Sequence, residues 1–424
     1  MALGDLSSGL YLGRPFGVAV RVHASWLLIF VLLLFSLATQ VLPLMDLAHG
    51  GPWWTALHAE ERIIGFERQY EAAHQELPPR DLVDEALNIQ RWPVWHYWAL
   101  GALGSLGLFV CVLAHELGHS IVARAAGMQV EGITLFIFGG VSRLSDEPPS
   151  ARVEFRVAVI GPLISIILGA VCGGLWYGLS GRIPTQALSL LFYFGFINVL
   201  LGVFNLLPGF PLDGGRVLRS ILWGLYGSLR RATSVATTWG RLFGAFFIAL
   251  GVIQLLVTRD LSALWMIFIG LFLRYAAGAA WQQMAARDAL TGLTVRGLLH
   301  DQVVTVTPDL TLERLVDDYF FKYRFRSFPV LEGDRFAGMV SLKDVQAVPR
   351  ANWTTTAVRQ AMHQIREENV VHPDDDLLSV FRKMTEAEKG HLPVVENGRL
   401  VGIITRHDIM DLLHVRLELG GGGQ

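Results

Sequence analysis

His115-Glu116-Leu117-Gly118-His119 closes an apolar stretch in which no charged residue occurs from Tyr97 to Ala114. On a helix, positions i and i+4 share one face about 6 Å apart, so both imidazoles can reach one metal ion. Glu116, one residue on, leans over the same position as a candidate general base. A carboxylate and two imidazoles are costly among apolar side chains, and ionisable groups inside a membrane span read as functional. The pattern therefore constrains the chain twice, to a helix and to a polar reaction centre inside a bilayer. The chemistry it points to is metal-assisted peptide hydrolysis.

The rest of the chain suits such a setting. At 424 residues it is too long for one ordinary core, so two or three units are expected. Hydrophobic residues make up 52% and charged residues 17%, with mean hydropathy +0.42, the balance of a polytopic membrane protein. A net charge of −2 gives no support for nucleic-acid binding. Cys111 and Cys172 both fall in apolar stretches and read as small buried hydrophobes, not as a disulfide framework. Six apolar runs stand out, at 24–44, 97–123, 157–179, 187–207, 242–257 and 261–280. A span needs roughly 20 residues. The first run is too long for the core of a cleavable signal and is expected to remain as a span. The fifth is short, and Arg274 interrupts the sixth close enough to its end to snorkel. These two read as a helical hairpin turning at Thr258-Arg259-Asp260.

Arginine is distributed unevenly between the runs. One side collects Arg14, Arg21, Arg143, Arg152, Arg156, Arg216, Arg219, Arg230, Arg231 and Arg241, whereas the two short opposite loops carry Arg182 and Arg259. The positive-inside rule then places both termini in the cytoplasm and the loop 45–96 outside. Tryptophans near both ends of that loop (Trp53, Trp54, Trp92, Trp95, Trp98) suit an interfacial belt, and 57–77 reads as a helix, either lying on the membrane or solvated. Surface roles are expected for its histidines, His49, His58, His74 and His96. With this topology the second and fourth spans both end on the cytoplasmic side. His115 and His119 can therefore meet a segment that follows the fourth span.

Catalytic zinc takes three protein ligands and keeps one position open. Asp213, in Pro208-Gly209-Phe210-Pro211-Leu212-Asp213-Gly214-Gly215, is the candidate third ligand, because irregular backbone at membrane depth is tolerated where it lines a polar cavity. Alone, the same aspartate would read as an ordinary turn residue; the histidine pair favours the ligand reading. Asn205 is a candidate hydrogen-bond donor to an oxyanion, or else a helix-packing amide.

The H-E-L-G-H, Asn205-Leu-Leu-Pro208 and Leu212-Asp213-Gly214-Gly215-Arg216, with Phe138-Gly139-Gly140-Val141 and Gly161-Pro162 between them, resemble the site-2 protease family of intramembrane zinc metalloproteases over roughly residues 10–230. The resemblance implies one zinc ion per chain on His115, His119 and Asp213, with Glu116 as catalytic base. It also implies substrates that are single-span membrane proteins or remnant signal peptides, unwound and held as an extended strand, in regulated proteolysis at the cell membrane. Ile133 to Val141, β-branched and aromatic around Gly139 and Gly140, offers such a strand edge, with Phe138, Gly139 and Gly140 as candidate substrate contacts; a re-entrant hairpin packed on the core is the other reading.

Beyond about residue 285 an internal repeat appears. Pro329 to Gly338 and Pro393 to Gly402 each span nine residues, and Pro329 to Asp344 and Pro393 to Asp408 each span fifteen. Each copy reads as strand, turn, strand, helix, and the pair resembles tandem CBS domains over about 296–348 and 357–416. That resemblance implies a homodimer through these domains and an adenine nucleotide such as ATP, whose ribose would meet Ser341 with Asp344 and Thr405 with Asp408. Capping of the following helix explains the same Ser/Thr-x-x-Asp pattern equally well. The expected architecture is thus a polytopic α-helical membrane domain of about six transmembrane helices at 1–285, then a soluble α/β tandem CBS pair at 286–424. A CBS-gated transporter or channel is the competing function, although the spans show no inverted repeat.

Overall fold

The computed structural model describes residues 9–420 except 88, 138, 145, 146, 300–302, 365–369 and 388. Its contacts divide between Trp281 and Gln282.

In the first unit, strands β1 (Leu10–Gly13) and β2 (Val20–Val22) precede helix α1 (Ser25–Ser36), which runs through a π-turn at Leu37–Val41 into α2 (Leu42–Leu47). Helices α3 (Leu57–His74) and α4 (Arg80–Ala86) occupy the first long loop, where the sequence predicts helix over 57–77. Helix α5 (Val94–Ala125) leads into strands β3 (Val130–Phe136) and β4 (Gly139–Leu144). Then follow α6 (Ala151–Leu179), α7 (Thr185–Asn205), α8 (Asp213–Tyr226), α9 (Leu229–Thr258) and α10 (Ala263–Leu290). Among the described residues six stretches are long and apolar enough to cross a membrane: Ser25–Leu47, α5, α6, α7, α9 and α10. Many of their large apolar side chains, such as Val110, Leu256 and Val257, stay exposed within the protein. Hydrocarbon is the solvent that suits such a surface.

Local chemistry sets the helix limits. Pro93 and Pro184 adopt extended backbone just ahead of α5 and α7. The Ser150 and Ser228 hydroxyls accept the Val153 and Arg231 amides to cap α6 and α9. Arg259, with φ +55°, ends α9 where the hairpin turn is predicted. Helix α9 starts well before the apolar run at 242, because its polar first half buries Ala232, Ala236 and Gly240 against the protein. A hydropathy reading has no view of that face.

The four strands form one sheet in the order β1-β2-β3-β4. Strand β2 pairs with β3 in parallel, across more than a hundred residues of chain, while β3 and β4 form an antiparallel hairpin that leaves β4 at an edge. Strands β1 and β2 are absent from the sequence-based expectation. They are short; β2 owes its form to the distant β3, and β1 pairs only with β2. Helices α6 and α7 cross closely at small residues: a Cβ on Gly169 would lie 2.9 Å from the Gly195 carbonyl.

In the second unit the two repeats share a hairpin pattern. Strands β5 (Ser327–Glu332) and β6 (Arg335–Ser341) pair antiparallel with β7 (His363–Gln364) at the edge, and β8 (His391–Glu396) pairs with β9 (Arg399–Thr405). Both hairpins shift register at the same point, after Val330 and after Val394. Each repeat has its own apolar core, one around Phe328, Val330 and Val340, the other around Leu392, Val394 and Ile404. The halves interlock through ion pairs that repeat with them: Arg296 reaches Asp374 and Glu396, and Arg359 reaches Asp309 and Glu332. The equivalent residues Ser327 and His391 of the two repeats hydrogen-bond at 2.6 Å.

Candidate metal centre

Helix α5 carries His115 and His119 one turn apart, both 4% exposed in a largely apolar span. Asp213 comes from the first residue of α8, more than ninety residues further along the chain. Its Oδ2 lies 3.0 Å from His115 Nε2 and 3.1 Å from His119 Nε2, and the two Nε2 atoms are 3.2 Å apart. A tetrahedral zinc ion with bonds of about 2.0–2.1 Å has donor–donor edges of about 3.3 Å. The three donor atoms thus form nearly one face of such a tetrahedron.

The imidazoles are turned by groups on α6. His119 Nδ1 meets the Val157 carbonyl at 2.5 Å, and a carbonyl only accepts, so the ring proton sits on Nδ1 and Nε2 presents its lone pair. His115 Nδ1 pairs with Ser165 Oγ at 2.9 Å, leaving its Nε2 directed the same way. Between these two contacts stands Gly161, where a Cβ would collide with both Nε2 atoms. The space a metal needs is therefore bounded by a residue with no side chain. Donor chemistry, spacing and room all fit a divalent zinc ion.

Asp213 reaches the histidines because it makes no cap for its own helix; Leu212 holds the N-cap position without a side-chain bond. The backbone before it is packed too tightly to wander: a Cβ on Gly215 would strike the Gly209–Phe210 peptide. Phe210 N donates to the Ala236 carbonyl of α9 at 3.1 Å.

Glu116 lies against β4. A Cβ on Gly140 would run into Glu116 Cγ and stand 3.3 Å from Oε1, so this strand passes directly beside the carboxylate. Gly139 has φ +118°, which opens β4 in a conformation other residues avoid. Phe138 lies outside the described residues. The Asn205 Nδ2 donates to the Leu201 carbonyl of its own helix at 3.0 Å.

In the second unit, the Ser341 amide and hydroxyl donate to Asp344 Oδ2 at 2.8 and 2.7 Å, and the Thr405 amide donates to Asp408 Oδ2 at 2.9 Å. Asp408 N returns a bond to Thr405 Oγ1 at 3.1 Å. Both pairs are capping boxes. His363 Nδ1 adds a further contact to Asp344 at 2.9 Å.

Sequence reasoning missed Ser165 and the Val157 carbonyl. The signal was present: 157, 161 and 165 fall four apart on the one helix that contains the Gly161-Pro162 motif, and so share a face.

Comparison with known proteins places the chain in a family. Residues 103–250 match Peptidase family M50, and 295–349 and 355–415 each match the CBS domain. The chain is 33% identical over 311 residues to "Putative zinc metalloprotease Rip3" of Mycobacterium tuberculosis, covering 73% of this chain and 79% of the relative. It is 31% identical over 315 residues to "Zinc metalloprotease MJ0392" of Methanocaldococcus jannaschii, covering 74% and 86%. A solved site-2 protease from the same archaeon aligns at 25% identity and TM-score 0.38, over 64% of this chain and 95% of that one. The chain belongs to Peptidase family M50, the site-2 protease family of membrane metalloproteases, and carries a tandem pair of CBS domains after its membrane domain.

Proposed function

We propose that this protein is an intramembrane zinc endopeptidase that hydrolyses peptide bonds within transmembrane segments, in single-span membrane proteins or remnant signal peptides. The observation that carries the reading is the convergence of His115 Nε2, His119 Nε2 and Asp213 Oδ2 inside a bundle of spans. Those three residues hold the metal. Zinc bound there supplies Lewis acidity toward a carbonyl and an acidified water. Glu116 removes a proton from the attacking water and returns it to the leaving nitrogen, the work of a positioned carboxylate. Asn205 joins as an oxyanion donor when its amide swings away from Leu201.

The substrate must arrive extended, since a helical peptide bond is wrapped in side chains and already hydrogen-bonded. The free edge of β4, where Gly139 and Gly140 run beside Glu116, supplies backbone partners for such a strand. Arginine asymmetry favours cytoplasmic termini and a cytoplasmic CBS pair in the cell membrane. By resemblance, the CBS pair takes an adenine nucleotide and joins two chains into a dimer, so that the nucleotide regulates proteolysis.

The test is cleavage of a panel of single-span substrates by detergent-purified protein. Wild type should cut, Glu116→Gln should not, and stripped wild type should recover when zinc is returned. Added ATP should change the rate in the wild type and not in Asp344→Ala/Asp408→Ala. Zinc-free protein that conducts ions and cuts nothing would replace this reading with transport.

A further inference from the structure

Helix α6 serves two of the three metal donors directly, and its face continues for one more turn. Glu154, Val157, Gly161 and Ser165 follow one another at spacings of three, four and four, which places them in a row. Ser165 turns His115, Val157 turns His119, and Gly161 leaves the room between them. Glu154 ends the row. It is fully buried, and its Oε1 accepts Arg219 Nε at 2.7 Å and also Arg219 Nη2. Arg219 belongs to α8, the helix that Asp213 begins, and is itself 9% exposed. Its guanidinium covers the Phe210 ring at 5.0 Å from the centroid.

Phe210 lies three residues before Asp213, in the bend that delivers it. On its backbone side this residue is clamped to α9, through the bond to the Ala236 carbonyl and through Gly240, where any Cβ would strike the Phe210 carbonyl. On its ring side the only cation described near it is Arg219. We propose that Glu154 and Arg219 are positioning residues for Asp213: the carboxylate fixes the guanidinium, the guanidinium seats Phe210, and the seated bend sets the third donor against the two histidines. Helix α6 is then the common reference for all three donors, two by direct contact and one through this relay.

Stability alone is a poor reason for such a pair. Replacing a buried ion pair by apolar residues of similar volume is often neutral or stabilising, because two charges no longer need to be desolvated. What apolar residues cannot supply is the fixed planar fork that holds both a carboxylate and an aromatic face. Removing groups that orient metal ligands typically costs about 10–100-fold in metal affinity.

The inference rests on the zinc assignment above, and its test separates the two. Full-length protein in detergent is titrated with zinc against a competing chelator, and the unfolding temperature of the zinc-free form is recorded. Glu154→Leu/Arg219→Met should unfold at or above the wild-type temperature and bind zinc about 10–100-fold more weakly. Arg219→Lys keeps the charge, the ion pair and most of the volume but loses the planar fork, and should show the same loss of zinc affinity. Wild-type affinity in either folded variant overturns the relay. If the double variant does not fold, Arg219→Lys decides alone. If wild type itself binds no zinc, or His115→Ala binds it as well as wild type, the zinc assignment fails and takes this inference with it.

Discussion

Asp213 and Asp344 each stand in the first turn of a helix, and their carboxylates are used in opposite ways. Asp344 turns back to its own N-terminus, taking the Ser341 amide and hydroxyl, and Asp408 does the same with Thr405. Asp213 leaves its helix without a side-chain cap and points at two imidazoles from another helix. A first-turn carboxylate already has a favourable use at its own helix N-terminus, worth about 0.3–1 kcal/mol. Forgoing it for two buried histidines fits the metal-ligand role proposed above. The contrast separates a site from a fold element more sharply than burial does, since Asp344 is also largely buried, with a side chain 9% exposed.

The comparison can be broken at several points. Glu116→Gln should lower hydrolysis by about 10²–10⁴-fold with zinc still bound, measured as cleavage rate and metal content on one preparation. A loss of both together would make Glu116 a ligand and redraw the site. Gly140→Ala should cost about 10²-fold in rate, since its new methyl displaces the Glu116 side chain, while zinc content stays at wild-type level. Ser165→Ala should weaken zinc binding by about 10–100-fold through the freed His115 ring, and Ser165→Thr should restore most of it. Asp344→Ala should lower stability by about 0.5–2 kcal/mol and leave zinc content and nucleotide-free hydrolysis unchanged.

The smallest expected effect is one of pH. Burial, then the nearby Lys389 charge, pulls the His391 pKa below that of a free histidine. The folded CBS pair therefore prefers His391 neutral. Its contribution is fully present above the unfolded value of about 6.5 and is lost as pH falls toward the lower folded value. Thermal unfolding between pH 8 and 5 should show a steeper acid decline in wild type than in His391→Asn. Equal slopes would remove His391 from the account.

Much of this was legible in the sequence, for physical reasons that differ by region. The i, i+4 histidines write their geometry directly into a helix, and the CBS repeat declares itself through spacing that both copies keep. Long apolar runs locate the spans, although α9 extends well beyond its run because its polar half is buried by tertiary packing. Strands β1 and β2 stayed hidden because both are short and β2 is fixed by a long-range partner, β3. Asp213 could be named only because the histidines asked for a third donor, and nothing local told it from a turn aspartate. The orienting groups were harder still: one is a backbone carbonyl, Val157, which any residue possesses. The interlocking Arg296 and Arg359 were missed although each follows a valine at matching points of the repeat, Val295 and Val358.

The most direct test is the zinc content of full-length protein purified as wild type, Asp213→Ala and Asp344→Ala, each equilibrated with a slight excess of zinc and then desalted. The account predicts one zinc per chain in wild type and in Asp344→Ala, and none retained in Asp213→Ala. Full retention in Asp213→Ala, or loss in Asp344→Ala, would contradict it.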